Sequence, residues 1–101
     1  MHKSDKNGGF GRETAETLAL QALSWIAEDI DRLNGFMAMT GAAPADLANS
    51  AADAGFLIAV LDYLTSEDAM VVAFCDARGL TYLQPMTARA VLAGEAGRNW
   101  T

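Results

Sequence analysis

An all-α fold, a compact orthogonal bundle of five or six short helices, is predicted by three features of this 101-residue sequence. The first is composition: 20 Ala and 11 Leu stand against 4 Val and 3 Ile. Ala and Leu lead the helix scale, whereas β-branched residues fit strands better. The second is periodicity, because apolar residues recur three and four apart between polar turn signals. The third is segment length. Most segments run three or four turns with links of a few residues, which disfavours a long up-and-down bundle. The length suits one domain, read as an N-terminal arm over 1–12, a helical body over 13–94 and a C-terminal tail over 95–101.

The first helix is predicted from Glu13 to about Glu28. At about 100° per residue, Thr17, Gln21, Ser24 and Glu28 form one narrow polar strip. Leu18, Ala19, Leu20, Ala22, Leu23, Trp25, Ile26 and Ala27 make the rest apolar, as in a helix covered on several sides. Asp29 or Asp31 is a capping candidate for a second helix near 30–40, with Ile30, Leu33 and Met37 as its stripe and Gly41 as its stop. Gly35 weakens the middle of that helix, which predicts a bent or short element.

Pro44 suits the first position of a short third helix, about 44–51, with Leu47 facing inward. Asp53 or Ala54 opens a fourth, about 54–65. Phe56, Leu57, Val60, Leu61 and Leu64 give it a broad apolar face, and Asp62 and Ser66 mark its polar side. Ser66 is the expected N-cap of a fifth helix, about 67–78, with Glu67 and Asp68 suited to the positive helix start and Gly79 ending it. The run Ala69 to Cys75 also fits a buried strand. With no second strand to pair with, helix is the better reading. Pro85 opens a last short helix, about 85–93, that ends at Gly94.

Charge is uneven along the chain. The net of −6 divides into +2 over residues 1–12, −10 over 13–76, where Arg32 is the one base, and +2 over 77–101. Such a body repels phosphate backbones and attracts a basic protein surface; acidity that simply keeps an Ala-rich bundle soluble is the plainer account. A helix-turn-helix reading of 42–64 fails on the same ground. Its recognition helix, Phe56–Leu64, carries only Asp62 where base-reading side chains are required, so no nucleic-acid partner is expected.

One cysteine, Cys75, excludes an internal disulfide, and one histidine, His2, excludes His-based dyads and Cys/His metal clusters in the body. The longest uncharged stretch, Leu33–Ala45, is broken by Asn34, Gly35, Gly41 and Pro44, so no membrane span is expected. The first residues lack the apolar core of a signal peptide, and the expected location is the cytoplasm.

The strings Thr17–Leu23, Phe36–Gly41 with Pro44–Leu47, Phe56–Leu64 and Ala73–Cys75 together resemble a small family of alphaproteobacterial proteins catalogued as domain of unknown function 3572. The similarity runs from about Ala15 to Leu80. It implies a short, all-helical bacterial protein and supplies no activity, cofactor or catalytic residue. Its strings are mostly core-type residues, so they speak to fold more than to a site.

Few constellations carry chemistry. Glu28-Asp29-Ile30-Asp31 has alternating carboxylates of the kind that hold a hard cation, but it lacks the EF-hand pattern of ligands and glycine, so capping and solvation account for it better. Cys75 has an acid beside it and lies near a helix C-terminus, which predicts an inert buried thiol. Phe36, Met37 and Met39 read as core filling before groove lining. Tyr82 and Trp100 are expected to cover the end of the bundle or join a contact surface. No cofactor, metal site or catalytic residue is expected. The function predicted is a non-enzymatic protein-interaction module whose acidic surface, Glu28, Asp29, Asp31, Glu67 and Asp68, meets a basic partner. The alternative is a small-molecule or metal-binding accessory domain of an enzyme.

Overall fold

A computed structural model of the chain describes residues 11–49 and 53–98. They fold into helices α1 (Arg12–Ala27), α2 (Ile30–Thr40), α3 (Pro44–Asn49), α4 (Ala54–Thr65), α5 (Asp68–Arg78) and α6 (Gln84–Arg98). No strand occurs among the described residues, and the run Ala69 to Cys75 is helical. The molecule measures 41 × 34 × 20 Å, and its thinnest dimension equals two helix diameters of about 10 Å.

The centre is a trio. α6 packs on both α4 and α1, α1 packs on α4, α2 leans on α1 and α4, and α5 leans on α4. The apolar arc predicted for α1 is largely buried at Leu18, Ala19, Ala22, Trp25 and Ile26, while Thr17, Gln21, Ser24 and Glu28 face solvent. Leu57, Val60, Leu61 and Leu64 bury the broad face of α4, and Ala88 and Leu92 supply that of α6. Two aromatic clusters lock the outer helices on. Trp25 of α1 meets Phe74 of α5 edge-on at 5.7 Å, and Phe36 of α2 meets Phe56 and Tyr63 of α4 at the same centroid distance.

Most boundaries follow the caps expected from the sequence. Asp53 accepts from Phe56 N at 3.0 Å to open α4, and Gly41 and Gly79 close α2 and α5 in the left-handed region, at φ 77° and 71°. Asp46 reaches back to Ala43 N at 2.9 Å to fix the start of α3. Residues 50–51 and the side chain of Leu47 lie outside the described part, as do residues 1–10 and Trp100.

Four expectations are corrected. Ser66 does not cap α5; its hydroxyl donates to Tyr63 O at 2.6 Å and closes α4, leaving Glu67 as the N-cap residue with no side-chain bond. Ile30 is 66% exposed, and Phe36 is the fully buried residue of α2, because α2 turns its 33–36–37 edge to α4. Gly94 does not stop α6, which runs to Arg98. A glycine ends a helix only by turning left-handed, and among the described glycines only Gly41 and Gly79 do so.

Gly35 is the fourth. α2 passes through it unbroken, and the glycine makes room for α4: a Cβ at this position would sit 2.5 Å from Tyr63 Oη.

Candidate functional site

The acidic residues singled out in the sequence lie where helices start and stop. α1 ends at Ala27, and the chain turns through Glu28 and Asp29 into α2. Asp29 is extended, at φ −129° and ψ 123°, and its Oδ1 accepts from Asp31 N at 2.9 Å and Arg32 N at 3.2 Å. This carboxylate is the N-cap of α2, one of the two roles foreseen for it. Asp31 is exposed in the first turn, where the helix dipole favours a negative charge.

Arg32 binds this corner together. Its guanidinium carbon lies 3.7 Å from the centroid of the Trp25 ring, and Nη2 donates to Trp25 O at 3.0 Å. α1 carries no basic residue in its last turn, so a cation from the next helix neutralises its C-terminal carbonyls. Nε of Arg32 is buried without a partner among the described residues.

Glu28 is the one of these acids held in an ion pair among the described residues. Its Oε2 accepts from Arg78 Nη2 at 3.0 Å, which ties the end of α1 to the end of α5. Glu67 and Asp68 occupy the opposite end of α5, about ten residues and so roughly 15 Å along the axis. Both are exposed. Tyr63, near the end of α4, packs edge-on against Phe36 of α2. Burial pushes its phenol above the ordinary tyrosine value, Glu67 and Asp29 push it the same way, and Arg32 opposes them. Glu28, next to Asp29 in the chain, is thus held in an ion pair, whereas Asp31, Glu67 and Asp68 stand exposed at helix starts.

Three residues at this site escaped the sequence reading: Tyr63, Arg78 and the stacking role of Arg32. Only Arg32 left a local signal, a lone base three residues after the capping Asp29 and seven after Trp25. Tyr63 and Arg78 join through contacts distant in sequence. Chemically, the acids can attract a cationic group. Among the described residues, no three of His, Cys, Asp and Glu converge to hold a metal ion. Cys75 is buried as expected, its Sγ donating to Thr81 O at 3.4 Å, and burial foremost, then Asp76, raises its thiol pKa. Tyr82 is half exposed, and Met39 is exposed while Met37 packs on the core.

Residues 12–95 match the family described as "protein of unknown function (DUF3572)". The chain belongs to that family. The DUF3572 match spans α1 and most of α6 and reaches beyond the 15–80 region whose strings carry the resemblance. It bears out the expected family, and the helices described above bear out the all-α class. No curated protein and no solved structure matches the chain. No helix of the described DUF3572 fold is long and apolar enough to cross a membrane.

Proposed function

We propose that this DUF3572 protein is a non-enzymatic, cytoplasmic protein-interaction module that presents its acidic α2 and α5 starts to a basic partner surface. The observation that carries this reading is that Asp31, Glu67 and Asp68 stand exposed at the starts of α2 and α5, with Asp29 capping α2 beside them. Like charges gathered this way raise the local potential and attract lysines and arginines more than scattered acids do. Arg32, its guanidinium turned onto Trp25, offsets only part of this charge, one base against Asp29, Asp31, Glu67 and Asp68. Glu28 contributes less to such a face, being paired with Arg78.

The test reverses charge where no structural bond is lost. Asp31→Lys, Glu67→Lys and Asp68→Lys combined leave the Asp29 cap and the Glu28–Arg78 bridge intact. Tagged wild type and variant are used to recover partners from native lysate at low and moderate salt. A stoichiometric protein retained by wild type, released by salt and lost with the variant supports the reading. Equal recovery by both proteins refutes the assignment of this face.

A further inference from the structure

We infer that α5 is a detachable strap, a helix that swings off the bundle as one unit about Glu67 and Leu80 while the trio of α1, α4 and α6 stays folded. Its attachment is narrow. α5 buries only Phe74 and Cys75 outright, and α4 is the one helix on which it packs broadly. It reaches α1 through Phe74, edge-on to Trp25 at 5.7 Å, and through Arg78, whose Nη2 donates to Glu28 Oε2 at 3.0 Å. The trio holds a larger core of its own, with Leu18, Leu57, Val60, Leu61, Ala88 and Leu92 all buried.

Both flanking helices are finished by residues outside α5. Thr65 Oγ1 donates to Leu61 O at 2.8 Å and Ser66 Oγ to Tyr63 O at 2.6 Å, which closes α4. Beyond α5, Thr81 N donates to Gln84 Oε1 at 2.8 Å and Gln84 N to Thr81 O at 3.1 Å, which fixes the start of α6. These bonds persist when α5 leaves, so neither neighbour loses its cap. The hinges suit the motion: Glu67 is extended, at φ −136° and ψ 127°, with no side-chain bond to the start of α5, and Gly79 is left-handed at φ 71°. The polar ties at the far end lie at the surface. They are the Arg78–Glu28 pair, with Glu28 55% exposed, and the bond from Tyr82 Oη to Asp76 at 2.8 Å. Such ties are weak, so burial of Phe74 and Cys75 is what keeps the strap shut. Releasing those two residues exposes less apolar surface than undoing the trio, the condition for an opening that precedes global unfolding. The opening uncovers Trp25, 5% exposed in the closed form, and leaves Glu67 at the hinge, so it does not depend on the basic-partner reading.

Cys75 reports the opening, because its thiol is buried in the closed form. The full chain is reacted with a thiol reagent at concentrations where the rate stays proportional to reagent, and that rate is divided by the rate for the urea-unfolded chain. The quotient is the fraction open. It is expected to exceed the globally unfolded fraction from urea titration by about tenfold or more, and to change little with urea until global unfolding overtakes it. Backbone amides from Val71 to Arg78 exchange hydrogen through the same opening, whereas the core amides of α1, α4 and α6 exchange only through global unfolding. Ala15→Gly, ten residues before Trp25 on α1, raises the globally unfolded fraction about fivefold and leaves Cys75 labelling in water unchanged. A Cys75 fraction equal to the globally unfolded fraction overturns the proposal. Labelling that rises with Ala15→Gly in step with the fall in urea midpoint does the same, as do α5 amides that exchange as slowly as those of the trio.

Discussion

Replacing Gly35 by alanine sets two effects of similar size against each other, and the fold decides between them. In an exposed helix interior the change stabilises by about 1 kcal/mol. Here the new Cβ lies 2.5 Å from Tyr63 Oη and 3.3 Å from Cζ, so the tyrosine tip must retreat by about 1 Å to reach ordinary contact. The ring cannot withdraw without disturbing its edge contact with Phe36, worth about 0.5–1.5 kcal/mol, and overpacking of this kind costs about 1–3 kcal/mol. The net expectation for Gly35→Ala is a loss of about 1 kcal/mol. In a Tyr63→Phe background the closest atom is gone and the same change gains a few tenths to about 1 kcal/mol, a coupling of about 1–2 kcal/mol. Urea unfolding of the four proteins, compared at equal m-values, measures it. If Gly35→Ala stabilises by about 1 kcal/mol in both backgrounds, the close approach of α2 and α4 is not what holds glycine at this position.

Three further outcomes are expected. Asp29→Ala removes the acceptor for two amides at the start of α2 and lowers stability by about 1 kcal/mol, with Asp29→Asn recovering most of it; thermal melts of the pair check this. Gly94→Ala, inside α6 with open space around it, stabilises by about 0.5–1 kcal/mol, whereas Gly79→Ala at φ 71° destabilises by a similar amount, and opposite shifts in urea midpoint are the signature. Alkaline stability is the third. Folded Cys75 holds its proton above the ordinary thiol value of 9.0, and Tyr63 holds its own above 10.0. The unfolded chain releases these protons first, so it binds fewer of them and stability falls as pH rises past about 9. Cys75→Ser, whose hydroxyl still reaches Thr81 O, delays the decline until the tyrosine range; an unchanged onset in urea titrations stepped through this window refutes the assignment.

Where local and tertiary demands agree, the elements can be read directly from the chain. Asp53, Gly41, Pro44 and Gly79 mark ends that the fold keeps, because the same residue satisfies the cap and lies beside the right apolar stripe. Where they disagree, packing prevails. Gly35 looks like a mere weak point of α2 until Tyr63, 28 residues on, is known to need the space. Gly94 looks like a stop, yet glycine permits a left-handed turn without requiring one, and α6 continues through it to Arg98. Ile30 and Phe36 are both apolar, and only the lean of α2 on α4 decides which one is buried. The candidate site divides in the same way. Its acids and the cap at Asp29 are visible in a stretch of four letters, while Arg78, 50 residues from Glu28, becomes its partner only through the packing of α5.

The central trio has a consequence for how the molecule comes into being. α1 and α4 appear early during synthesis, but the helix that covers both is α6, which begins at Gln84. Until that segment has left the ribosome, Ala15, Leu18, Ala19, Leu57, Val60 and Leu61 have no complete cover, so the nascent chain carries an open apolar seam for most of its translation. The contacts of α6 with α1 join segments about 70 residues apart and those with α4 about 30, so the long chain between α1 and α6 must be ordered before its contacts are rewarded. The acidic stretch between residues 13 and 76 is then the part of the polypeptide made while the seam is open, and its −10 charge sets nascent chains against one another during the interval when they would otherwise stick.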